Sequence, residues 1–109
     1  MDFEEYQRKA AKTAVYPDIG NNFAYPTLGL VGEAGEIANK VKKIMRDKGG
    51  VVDDHSREDM KKELGDVLWY VAATAAEFKL SMDEIASANI EKLASRQERN
   101  QLKGSGDDR

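Results

Sequence analysis

One pattern occurs twice in this chain, each time inside a long segment of helical period. It reads Glu33-Ala34-Gly35-Glu36-Ile37 and, thirty positions on, Glu63-Leu64-Gly65-Asp66-Val67. Each copy is Glu, any residue, Gly, an acid and a β-branched aliphatic. At about 100° per residue, acids three apart share one helix face, so each segment presents a carboxylate pair. The apolar stripe of the first segment is Leu30, Ala34, Ile37, Val41 and Ile44; that of the second is Met60, Leu64, Val67, Val71 and Phe78. Both stripes centre on the same side of their acids, so the carboxylates sit on the shoulder of the buried face. Two such helices packed together bring four acids toward one place.

A single Glu-x-x-acid pair is ordinary decoration of a solvated helix. Two copies with matched phase and matched glycines are not explained that way. A helix-interior Gly costs about 1 kcal/mol against Ala, so the paired glycines suggest close approach by a backbone or a ligand. Four converging carboxylates repel and have raised pKa values unless a cation sits among them. Hard oxygen donors favour Mg²⁺, with Mn²⁺ also suitable, over zinc. The expected metal ligands are Glu33, Glu36, Glu63 and Asp66.

At 109 residues the chain makes one domain, and its length leaves oligomerisation useful for stability. Charged residues are 34% but the net charge is only −3, so no basic field invites nucleic acid. The absence of Cys excludes disulfides and thiolate metal sites. The start, MDFEEYQRK, carries no apolar run, so neither a signal peptide nor a membrane anchor is expected and a cytoplasmic protein is the default.

The periodicity predicts an all-α fold of four helices forming a bundle module, residues 1–97, with a tail at 98–109. Asp2 and Glu5 form a capping box for a first helix reaching Ala14, with Phe3, Tyr6, Ala10 and Thr13 inside. The turn-rich loop that follows carries Tyr16, Phe23 and Tyr25 beside two amides, Asn21 and Asn22. These aromatics are expected to plug the bundle end; the alternative is a lip that stacks on a nucleobase. Pro26 suits the first turn of a second helix running to Asp47. Lys40 and Lys43 follow its acids, to balance them or reach a phosphate, with Lys43 read as structural. His55 is expected in a loop and is read as solvated. Ser56 is the expected cap of a third helix running to Phe78. Ser81 with Glu84 caps a fourth, from Met82 to at least Arg96, whose Asn89, Lys92 and Arg96 form a donor-rich face suited to clamping phosphate.

The segments GLVGEAGEIANKVKK, KKELGDVLWYV and NIEKLASR resemble the MazG-like, all-α nucleoside triphosphate pyrophosphohydrolases. That family's mark is a Glu-x-x-Glu pair followed on the next helix by Glu-x-x-Asp, matched by Glu33/Glu36 and Glu63/Asp66 from about Tyr25 to Arg96. The resemblance implies a divalent metal site and cleavage of a nucleoside triphosphate, ribo- or deoxyribo-, to monophosphate and pyrophosphate. It assigns Lys92, Arg96 and Asn89, with Tyr70, to the substrate side. A metal-activated water would be the nucleophile, with Glu36 one candidate for its base. Two other classes compete: a non-catalytic metal- and nucleotide-binding module or regulatory subunit, and a structural helical oligomer. Finally, Leu68, Trp69, Ala72, Ala73 and Ala76 widen the third helix's apolar arc beyond one packing face. A homodimer or homotetramer pairing this helix with its copy is therefore expected, with Trp69 near the boundary and a neighbour's tail completing the site.

Overall fold

The computed structural model describes residues 1–100 and 104–107; residues 101–103 and 108–109 of the expected tail lie outside the described residues. Four α-helices and no strand occur among them: α1 (Phe3–Ala11), α2 (Ala24–Lys48), α3 (Asp54–Glu77) and α4 (Met82–Glu98). The all-α expectation holds.

The caps explain the boundaries. The Asp2 side chain accepts from Glu5 N, and that of Ser81 from Glu84 N, as the sequence predicts. The third cap is different. Asp53, not Ser56, caps α3 by accepting from Ser56 N at 2.7 Å. Ser56 is buried inside the first turn, where its hydroxyl accepts from Lys48 Nζ at 2.9 Å. Lys48 also pairs with Asp53 at 3.0 Å, so one ammonium ties the end of α2 to the start of α3. Gly49 ends α2 with φ +59°, a left-handed conformation that favours glycine. α1 stops at Ala11, short of the expected Ala14, and Thr13 becomes an acceptor for Trp69 Nε1 at 2.7 Å.

The main packing is α2 on α3, with α1 laid across α3 and α4. Gln7 of α1 fixes the α3–α4 turn, donating to Leu80 O and accepting from Met82 N. The Tyr16–Asn22 loop is held by Glu77, a residue the sequence did not single out. One carboxylate oxygen of Glu77 accepts from Tyr16 OH at 2.9 Å, Gly20 N at 3.0 Å and Asn22 N at 3.3 Å. Tyr16 is buried, as expected of a plug, and stacks on Tyr25 with ring centroids 4.9 Å apart; Phe23 and Tyr25 stay exposed. Asn22 serves the turn by accepting from Tyr25 N and donating to Pro17 O.

The molecule is open. Its radius of gyration is 16.7 Å, against about 13 Å for a compact domain of roughly 100 residues. The second face of α3 is covered in part: Ala72 is buried and Trp69 is bonded to Thr13 and meets Tyr70 edge-on, whereas Ala76 is exposed. Exposed apolar side chains include Leu28, Val31 and Met45 on α2, Leu64 on α3 and Ile90 on α4. No helix among the described residues is long and apolar enough to cross a membrane.

Candidate metal centre

α2 and α3 run antiparallel and face each other as a ladder. Along α2 the side chains are Tyr25, Gly29, Glu33, Glu36 and Lys40; along α3 they are Asp59, Glu63, Asp66 and Tyr70. All are three or four residues apart, so each set shares one helix face. At one end Lys40 Nζ lies 3.2 Å from both Asp59 Oδ2 and Glu63 Oε1. In the middle, carboxylate oxygens of Glu33, Glu63 and Asp66 fall within 4.8 Å of one another. At the other end the Tyr70 ring packs against the Cα of Gly29.

The electrostatics mark the middle rung as strained. Burial raises the Glu33 pKa, and the charges of Asp66 and Glu63, a hydrogen bond with Glu63 and the charge of Glu36 raise it further. Like charges held this close favour a proton or a cation between them. Glu63 is relieved by Lys40, whose own pKa is raised by bonding to Glu63 and Asp59. Two phenols border the cluster. Tyr70 is pushed up by burial and by Tyr25, Glu33 and Asp66; Tyr6 of α1 is pushed up by burial and by Asp66. Three hard oxygen donors from two rigid helices, open toward solvent at Asp66, fit a divalent cation.

The expected site residues divide. Glu33, Glu63 and Asp66 come together. Glu36 is exposed and outside that group, though its charge still reaches Glu33. Tyr70 stands at the aromatic end of the same ladder. Asn89 lies on the rim of an apolar recess that also includes Phe3, Leu68 and Val71. Lys92 and Arg96 hold the chain's own tail: Lys92 Nζ is 3.2 Å from Asp107 Oδ1, and Arg96 donates to the carbonyls of Gly106 and Asp107. Arg96 is only 3% exposed. The matched glycines also differ from expectation, since a Cβ at Gly35 or Gly65 would meet nothing within 4 Å. The close approach is at Gly29. Its signal was in the sequence as a small residue one turn before Glu33 and one turn after Tyr25.

A family model described as the MazG nucleotide pyrophosphohydrolase domain matches residues 25–100, which include the whole ladder. The chain belongs to this family. The MazG match also takes in Asn89, Lys92 and Arg96 on α4. The Gene 37 protein of Mycobacterium phage L5 is 48% identical over 114 aligned positions, covering all of both chains. No solved structure matches. MazG domains are nucleotide pyrophosphohydrolases, which makes this chain a hydrolase by family.

Proposed function

We propose that this MazG protein hydrolyses a nucleoside or deoxynucleoside triphosphate to the monophosphate and pyrophosphate, in the cytoplasm, with Mg²⁺ or Mn²⁺ as cofactor. The observation that carries this reading is the meeting of Glu33, Glu63 and Asp66 from two helices. A triphosphate carries about four negative charges at neutral pH and would be repelled by bare acids. A bound divalent cation would reverse that sign and acidify a water molecule. Oxygen from water forms a bond to the α-phosphorus while the α–β bridging P–O bond breaks, and pyrophosphate departs with the electron pair. The water's proton passes to a nearby carboxylate and then to solvent. Glu36 is suited to that role because it is exposed beside the cluster rather than held within it.

Tyr70 lines the substrate side. Lys92 and Arg96 match the family's basic positions on the last helix, with Asn89 on the same face, a set suited to clamping phosphate, and here Asp107 stands where an anion would be received. In a homo-oligomer these cations would face the acid cluster of a second copy once the tail is displaced. Leu28, Val31 and Met45 on α2 supply an apolar face for such a homodimer or homotetramer. Sedimentation at low micromolar concentration should give more than one 12.1 kDa chain; a folded monomer would remove the shared-site reading. The direct test of function is product identity across the common (d)NTPs with Mg²⁺. Monophosphate plus pyrophosphate is expected. Nucleotide binding without turnover would instead favour a non-catalytic binding module.

A further inference from the structure

Beyond the acid cluster, the α2–α3 groove continues past Lys40 into a cavity of about 350 Å³ at the C-terminal end of α2. Its polar lining is Lys40, Lys43, Asp47, Lys48, His55, Ser56 and Asp59. That volume falls at the lower end of the range of roughly 300–1,000 Å³ usual for small-ligand sites. We propose that this cavity receives the pyrophosphate end of the nucleotide, so that the nucleotide lies along the groove with its base toward Tyr25 and Tyr70. The inference rests on the hydrolase reading and adds an orientation and a subsite to it.

Three observations support this polarity. The first is order along the ladder: aromatics at one end, carboxylates in the middle and lysines at the other, which is the order of base, metal-bridged phosphate and terminal phosphates. The second is continuity. Lys40 both lines the cavity and touches Glu63, so the cavity opens directly beside the acid cluster. The third is the state of Lys40. Its ammonium is divided between Asp59 and Glu63 at equal distances of 3.2 Å. A cation on Glu63 would take over that neutralisation and release one of the two contacts, leaving the ammonium able to meet an incoming phosphate oxygen. Lys48 is committed to Asp53 and Ser56 and shapes the wall. Lys43 lines the cavity from one turn after Lys40, exposed and with no ion pair among the described residues. Lys43, which spacing alone marks as structural, is therefore the residue best placed to hold the leaving group.

The test is calorimetric binding of inorganic pyrophosphate, and of dAMP, dCMP, dGMP and dTMP, to the full chain in Mg²⁺. Lys43→Ala should weaken pyrophosphate about tenfold or more, the scale of one charge-assisted contact, and leave the monophosphates unchanged. Lys43→Arg should restore pyrophosphate binding. Tyr25→Ala should weaken whichever monophosphate binds and spare pyrophosphate. Circular dichroism confirms that each variant is folded. Absence of pyrophosphate binding by the parent chain, or a Lys43→Ala chain that binds it normally, overturns the assignment. Loss of monophosphate and pyrophosphate together in Lys43→Ala overturns the polarity. Lysine-dependent pyrophosphate binding in a chain that cleaves no triphosphate would support the subsite while sinking the hydrolase reading.

Discussion

The ring of Tyr70 lies so close to the Cα of Gly29 that a Cβ at that position would overlap three of its carbon atoms. Tyr70 also feels the charges of Glu33 and Asp66, so the contact sets the position of the wall beside the acid cluster. Gly29→Ala should cost about 1–3 kcal/mol through overpacking, despite the gain of roughly 1 kcal/mol in helix propensity. Gly65→Ala, where the added Cβ meets open space, should instead stabilise the metal-free chain by about 0.5–1 kcal/mol. Urea unfolding of the two variants reads both signs. Equal effects would mean that Tyr70 gives way freely.

Glu36 and Asp66 should separate chemistry from binding. Asp66→Asn removes one of three converged carboxylates and should weaken Mg²⁺ affinity measured without nucleotide. Glu36→Gln should leave that affinity nearly intact and lower kcat by about 10²–10⁴, the usual scale for a lost general base. If Glu36→Gln turns over at the parent rate, the base lies elsewhere.

The tail contact predicts a gain on mutation. Asp107 has its pKa lowered by Lys92 and, less strongly, by Arg96. Asp107→Asn should free Lys92 and lower KM for a triphosphate by about two- to fivefold, the scale of an exposed ion pair. Lys92→Ala should raise KM and abolish the effect of Asp107→Asn. Independent effects of the two changes in a double-mutant cycle would separate the tail from the clamp.

Acid pH should stabilise the metal-free cluster. The folded-state pKa of Glu33 lies above its ordinary value of 4.5. The stability this group contributes is therefore complete below that ordinary value and is lost as pH rises through the folded value. Metal-free Glu33→Gln should melt higher than the parent at pH 7, and the difference should close below about pH 4.5. Saturating Mg²⁺ should reverse the order at pH 7, because only the parent keeps the full ligand set. A melting difference that does not vary with pH would place Glu33 outside the cluster.

At high pH the Glu77 anchor is the sensitive point. Burial and Glu77 push the Tyr16 phenol up to about 12 from its ordinary 10.0. The unfolded chain loses that proton first, so stability should fall as pH rises from 10 toward 12. Tyr16→Phe should flatten this decline, as followed by circular dichroism. An unchanged alkaline limb would assign it to other tyrosines.

The helices, two of three expected side-chain caps and the matched acids were legible in the sequence because they depend on spacing. A 3.6-residue period puts Glu33 and Glu36, or Glu63 and Asp66, on one face of any helix they join. Local spacing also set Asp2 and Ser81 as caps, but it named Ser56 where Asp53 caps α3 and Ser56 instead meets Lys48 from the preceding helix. Relative placement of helices was not encoded in period. Which acids converge depends on the antiparallel register of α2 and α3, fixed where Tyr70 seats on Gly29 and Lys40 bridges to Glu63. That register admits Glu33, leaves Glu36 outside and sets a lysine-lined cavity beside Glu63. The covering of α3 by α1 and the hold of Glu77 on its loop join residues far apart in the chain. Their pairing follows from tertiary packing alone, since no local pattern can specify which distant partner a buried polar group will meet.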